Sequence, residues 1–271
     1  MKVMVRADIE GITGIVHRIY AKEGEPDWQR ARRFMTGDVN AAVEGALAAG
    51  AKEVIVLDSH GWRTNNILIE ELHPEAKLIQ GTRSVLDSTF SAVLCIGFHA
   101  RADIAAGILS HTVSSRAVAR CILNGRPFSE FFLVASTAGY YDVPAVLVTG
   151  DQVVAEEARE LVPGIETAVV KRGLGRMAAE LLPPAKTQPM IREGAERGLR
   201  RREEIQPLKV APPYALEVEF KDVEAAEVSD LYPGVNRIDA RRVTYTGKDI
   251  LEVNNAYRTL TLMANAVLMS P

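Results

Sequence analysis

Hydrophobic positions along the chain follow two alternating rhythms. Short apolar runs rich in β-branched residues, at about 2–8, 53–58, 92–98 and 144–149 and more weakly at 165–170, predict strands buried on both faces of a sheet. The stretches between them repeat their apolar residues at helical spacing. In "RARRFMTGDVNAAVEGALAAG", residues 30–50, Phe34, Val39, Val43, Ala46 and Leu47 share one face, and Gly50 supplies a stop. "FSEFFLVASTAG" predicts a second helix closed by Gly139, and Asp151 is placed to cap a third over 151–161, which ends near Pro163. Strands alternating with helices imply an α/β fold with a largely parallel sheet flanked by helices.

The rhythm changes after the proline-rich "LLPPAKTQP", residues 181–189. Beyond it the pattern predicts a charged helix in "REGAERGLRRREEI", strands at 214–220 and 236–246, and a last helix from about 248 to 269. We expect residues 1–185 to form the main α/β domain and 186–271 a smaller α+β unit. The charged helix mixes both signs and reads as a solvated face.

Composition narrows the function classes. The 271 residues are 47% hydrophobic and 25% charged, typical of a globular protein, and the formal net charge of −3 supplies no basic field for a nucleic-acid backbone. Lys2, Arg6, Asp8 and Glu10 interrupt the first ten residues, and no uncharged apolar run approaches the roughly 20 residues of a membrane span, so the expectation is a cytoplasmic protein without a membrane partner. Cys95 and Cys121 lack CxxC partners and read as buried spectators. A metal would therefore need imidazole and carboxylate ligands.

Open parallel sheets bind ligands at the carboxyl ends of their strands, so the residues that follow each apolar run matter most. The first run ends in "DIEG", with Asp8 and Glu10; the second in "DSHG", with His60; the third in "GFHAR", with His99. Side chains alternate along a strand, which puts Asp8 and Glu10 on one face, where two carboxylates repel unless a cation lies between them. Imidazoles with carboxylates and no thiolate suit zinc, with manganese, iron or cobalt as other options. Two carboxylates exceed what a single tetrahedral zinc with two histidines needs if water must also bind, which points to two ions sharing a carboxylate. His111, in "GILSHTVSS", could serve as an acid or base beside them. His17 and His73 read as surface and loop residues, and Asn40 as a helix-surface amide.

Taken in order, "DIEGITG", "DSHG", "LHPEA", "GFHAR", "SHT", "NGRP" followed by Glu130, and "AGYYDVP" resemble the motifs of the zinc-dependent D-aminopeptidase family of bacteria. The resemblance implies two zinc ions per subunit: Asp8 as their bridge, Glu10, His60 and His99 as ligands, and Glu130 as a fifth ligand that spacing alone would pass over as a helix-start residue. It implies a catalytic role for His111, short peptides with a D-residue at the amino end such as D-Ala-D-Ala as substrates, and a ring-like homodecamer whose sites face an inner channel. Two other readings stand beside it. One keeps a dinuclear centre but hydrolyses L-peptides, non-peptide amides or phosphoesters. The other is a non-catalytic metabolite-binding α/β protein, for which "KRGLGRM" offers only two of the three glycines of a dinucleotide fingerprint.

Overall fold

The computed structural model describes residues 1–61, 65–81 and 85–269. In chain order the elements are β1 (Lys2–Ala7), α1 (Pro26–Ala48), β2 (Glu53–Asp58), β3 (Ala76–Ile79), β4 (Ala92–Ile96), β5 (Val118–Leu123), β6 (Arg126–Pro127), α2 (Glu130–Tyr140) and β7 (Ala145–Gly150). They continue with α3 (Gln152–Leu161), β8 (Glu166–Val169), β9 (Lys171–Gly175), β10 (Ala178–Leu181), α4 (Pro184–Arg200), β11 (Ala215–Phe220), α5 (Val223–Ser229), β12 (Val235–Arg237), β13 (Arg242–Thr246) and α6 (Ile250–Leu268).

Six strands form a parallel sheet in the order β3-β2-β1-β4-β7-β8. Its central strands are apolar through their middles, as strands covered on both faces must be: Val3, Met4, Val5, Val54, Val56, Val93, Leu94, Val146 and Val148 have no measurable exposure. Helices α1 and α4 pair against this sheet, and α2 and α3 form a second pair against it. From β1 the chain winds first toward β2 and β3, then returns to place β4 on the opposite side. The direction of winding thus reverses between β1 and β4, and a crevice opens there at the carboxyl ends of the strands.

The second sheet is antiparallel, in the order β12-β13-β11-β5-β6. Residues 118–127 belong to it, whereas α4 packs on α1 and β8. The two sheets therefore do not divide along the chain at 185/186. The proline-rich stretch is not a linker: Pro183 caps α4 and Pro184 occupies its first turn, where a missing N–H costs nothing. The strand expected over 236–246 is a hairpin, β12 and β13, and "KRGLGRM" spans β9 and the turn into β10, with no strand-to-helix junction. Helix α2 runs one residue past Gly139, whose place is set by contact: a Cβ there would stand 1.9 Å from Leu208 O. Both cysteines are buried and free.

Helix α6 joins the two sheets. It packs on β11 and α5, and on α2 of the first layer. Fully buried Tyr257 meets Phe128 edge-on at 5.4 Å and donates its hydroxyl hydrogen to Thr112 O at 2.7 Å. A helix of the second layer thereby reaches the segment that carries His111.

Candidate metal centre

The loop after β1 is unusually close to that after β4. Gly11 N donates to Gly97 O at 2.8 Å, and a Cβ on Gly97, which sits at φ +75°, would lie 2.2 Å from Asp8 O. Only glycine permits that approach in that conformation. It brings Asp8 and Glu10 against His99.

Each site residue is set by its own anchor. Asp8 accepts a hydrogen bond from Ile9 N at 2.9 Å, which orients the carboxylate into the crevice. His60 follows β2 on a loop tied down by buried Asp58, which accepts from Asn66 N and Nδ2, while Asn66 Nδ2 also donates to His60 O. Glu130 opens α2, whose N-cap Ser129 accepts from Phe132 N; the Glu130 carboxylate turns inward and accepts from Val113 N at 2.7 Å.

The three imidazoles share one arrangement. His60 Nε2 lies 3.1 Å from Ala21 O, His99 Nδ1 3.0 Å from Ala100 O, and His111 Nδ1 2.8 Å from Leu109 O. A carbonyl can only accept, so each of these nitrogens carries the hydrogen, and in the neutral ring the other presents a lone pair. Those free nitrogens converge on carboxylates: His60 Nδ1 lies 3.3 Å from Asp8 and 3.0 Å from Glu10, and His99 Nε2 lies 3.4 Å from Asp8 and 3.1 Å from Glu130. His111 Nε2 stands slightly further off, 3.8 Å from Glu10 and 3.6 Å from Glu130, and its ring stacks on His99 at 4.1 Å.

Burial and charge act in opposite directions here. Burial pushes the Asp8 carboxyl up, but His60 and His99 outweigh it and hold the group well below the usual carboxylate range. Burial pushes both those histidines down, yet Glu10 and Asp8 raise His60, and Glu130 and Asp8 raise His99, well above the ordinary imidazole value. His111 goes the other way: burial, then the charge on His99, lowers it.

A cation fits this set better than protons do. Glu10 Oε2 and His99 Nε2 are buried without a hydrogen-bond partner, although both lie within 3.4 Å of oppositely charged atoms. Such atoms are costly unless something coordinates them. Asp8, Glu10 and His99 form one group whose donor atoms lie within 4.8 Å of one another, and His99, His111 and Glu130 form another, so His99 belongs to both. Imidazole nitrogens, carboxylate oxygens and no sulfur form a donor set suited to zinc.

All six residues singled out in the sequence meet in this crevice. Glu130 carried no local signal, because what aims it inward is the path of residues 113–129 through the second sheet. Lys171 was passed over altogether. Its buried Nζ donates to Glu10 O, Ile12 O and Ile15 O at 2.6, 2.9 and 2.7 Å, and so holds the ligand loop from below. The bystanders also have structural roles. Asn40 bonds Glu71 O and His73 N, His73 Nδ1 accepts from Glu75 N, and His17 caps a short 3-10 turn.

A cavity of about 880 Å³ opens from the centre between α2, α6 and the strand ends. Among the described residues no helix is long and apolar enough to cross a membrane.

Comparison with known proteins gives consistent results. A family model described as D-aminopeptidase, peptidase family M55, matches residues 1–259. A D-aminopeptidase of Bacillus subtilis (strain 168) is 36% identical over 271 residues, covering 97% of this chain and 98% of that protein. A solved structure, the Zn-dependent D-aminopeptidase DppA from Bacillus subtilis, described as a self-compartmentalizing protease, superposes with a TM-score of 0.93 at 36% identity, covering 97% of this chain and 98% of that one.

Proposed function

The chain belongs to the D-aminopeptidase family of metallopeptidases, and on that premise we propose that it is a zinc-dependent aminopeptidase acting on short peptides with a D-residue at the amino end, D-Ala-D-Ala among them. The observation that carries the reading is the set of three imidazoles, each tied by one nitrogen to a backbone carbonyl and turning the other toward the carboxylates of Asp8, Glu10 and Glu130.

Two zinc ions would be held by Asp8 between them and by Glu10, His60, His99 and Glu130 around them. When bound, the ions would supply Lewis acidity to the scissile carbonyl and the attacking water. The work left to the chain is proton transfer and orientation. His111 carries its hydrogen on Nδ1 toward Leu109 O, and burial keeps the ring neutral near pH 7, so Nε2 is free to take a proton from the attacking group and return it to the leaving amine. The His99 ring stacked against it fixes its plane. The cavity of about 880 Å³ has room for a short peptide.

The relative's self-compartmentalizing character supports a closed assembly for this chain too, and we read that assembly as a ring-like decamer in the cytoplasm with the centres facing an inner channel. Exposed Val223, Leu231 and Ile238, all on the second-sheet unit, are apolar surface suited to contacts between subunits. Zinc content measured together with hydrolysis of D-Ala-D-Ala, L-Ala-L-Ala and a generic phosphoester tests the activity. Two zinc ions per chain and cleavage confined to the D-peptide are expected; phosphoester cleavage alone, or a metal-free active protein, would refute it. Light scattering tests the ring.

A further inference from the structure

The cavity holds a second unpaired charge, of the opposite sign. Arg6 lies on β1 two residues before Asp8, hence on the same face of the strand and about 6.6 Å along it. Arg258, on α6, lines the same cavity from the second layer. Among the described residues neither guanidinium has an ion pair or hydrogen bond, and Arg6 Nε is buried with no partner at all. Arg116, on the same wall, is already engaged with Leu268 O at 3.2 Å.

Two arginines facing one cavity repel each other, and desolvation adds to the cost. A guanidinium keeps its charge at neutral pH even when buried, so the repulsion persists. Asp8 and Glu130 attract Arg6, but theirs is the negative charge that a cation in the centre would consume. An anion between Arg6 and Arg258 resolves this, as a cation resolves the carboxylate cluster. Arginine's fixed fork of donors matches a carboxylate in particular.

We propose that Arg6 and Arg258 bind the free α-carboxylate of the substrate and so make this chain a reader of very short peptides, dipeptides above all. The assignment rests on the peptidase reading above. In a dipeptide the carboxylate lies one residue beyond the scissile carbonyl, about 3.8 Å on. A substrate with its reacting bond beside Asp8 therefore carries its negative end into the part of the cavity that Arg6 and Arg258 line. Longer or amidated peptides present no charge there and leave the two guanidiniums unpaired, which is how a polar site rejects an analogue that lacks the matching group.

Titration calorimetry on the full-length, zinc-loaded protein with 5-aminopentanoate and its carboxamide tests this without any cleavable bond, since that acid has the amine-to-carboxylate length of a dipeptide. The acid should bind at least about tenfold more tightly than the amide. Arg6→Met and Arg258→Met should each remove most of that difference while leaving amide binding unchanged, and Arg6→Lys should restore part of it. In kinetics the same preference should appear in KM for D-Ala-D-Ala against its C-terminal amide. Equal binding of acid and amide, or a preference that survives both Met variants, overturns the proposal. Arg258 is exposed on its helix, so R258M decides the matter even if R6M does not fold. A protein that cleaves no D-peptide but distinguishes acid from amide through these arginines would refute the peptidase reading and leave the carboxylate site standing.

Discussion

Replacing Lys171 by Met removes a buried ammonium from beneath the loop that carries Glu10, and two opposing costs decide the outcome. Loss of the three donors strands the carbonyls of Glu10, Ile12 and Ile15, now 2.6–2.9 Å from Nζ, at roughly 1–3 kcal/mol each. Against this, burial pushes the lysine from its ordinary 10.5 down to about 7, even with Asp151, Asp38, Glu10 and Asp8 pulling it up. At about 1.4 kcal/mol per tenfold, that is a penalty on the order of 5 kcal/mol that methionine does not carry. Near pH 7 the two nearly offset, and the variant should lose at most a few kcal/mol. At higher pH they no longer do. Above about pH 7 the folded wild type releases the lysine proton while the unfolded chain keeps it up to 10.5; the unfolded state then binds more protons, and wild-type stability rises with pH. Between pH 7 and 9 the gap between wild type and variant should widen by about 2 kcal/mol. Urea unfolding of both zinc-free proteins at the two pH values measures it. A gap of the same size at both would show that the three carbonyls hold the group as an ammonium throughout, and would refute the reasoning.

Three further outcomes are expected. Asp8→Ala should abolish binding of both zinc ions and all hydrolysis, because Asp8 lies between His60 and His99; a variant that retains two tightly bound ions by metal analysis would remove Asp8 from the bridging position. His111→Ala should keep its zinc and lose roughly 10²–10⁴-fold in kcat; loss of zinc instead would make His111 a ligand, a role its place in one donor group with His99 and Glu130 also allows. Zinc affinity should fall as pH drops, because carboxylates hold His60 and His99 protonated well above the ordinary imidazole value and the metal must displace those protons; calorimetry in buffers of different ionisation heat should record proton release near neutral pH, and no release would contradict it.

Residues at strand ends were legible in the sequence because the rule that makes them functional is local. A parallel strand is an apolar run, and whatever polar residue follows it stands at the ligand-binding edge; Asp8, Glu10, His60 and His99 all obey this. Glu130 does not. It opens α2 behind an ordinary serine cap and reads as a residue favouring the helix dipole, and its inward turn depends on residues 118–127 crossing into a sheet whose other strands lie some 90 residues later. Arg258 was hidden for the same reason. The prolines at 183 and 184 misled differently: proline punctuates a linker and opens a helix equally well, and only packing of α4 on α1 decides which. Lys171 left a trace, a charged residue that closes the apolar run "TAVV" two positions before Gly173, but nothing local shows that its side chain turns inward.

That lysine explains how an irregular loop can be a firm support. Residues 9–15 belong to no helix or strand, yet their backbone groups are engaged by buried partners. Glu10, Ile12 and Ile15 direct their carbonyls down to Lys171. Ile9 N–H bonds Asp8 Oδ1, Gly11 N–H bonds Gly97 O, and Thr13 N–H and hydroxyl both bond the Asp38 carboxylate, which burial pushes up to about 6. A loop whose donors and acceptors are met by side chains from β9 and α1 cannot relax without exposing or orphaning buried charge. Its geometry is therefore set before any cation arrives. The carboxylates of Asp8 and Glu10 are held together by the fold, against their mutual repulsion, and the binding of a metal recovers energy that folding has already spent on keeping them there.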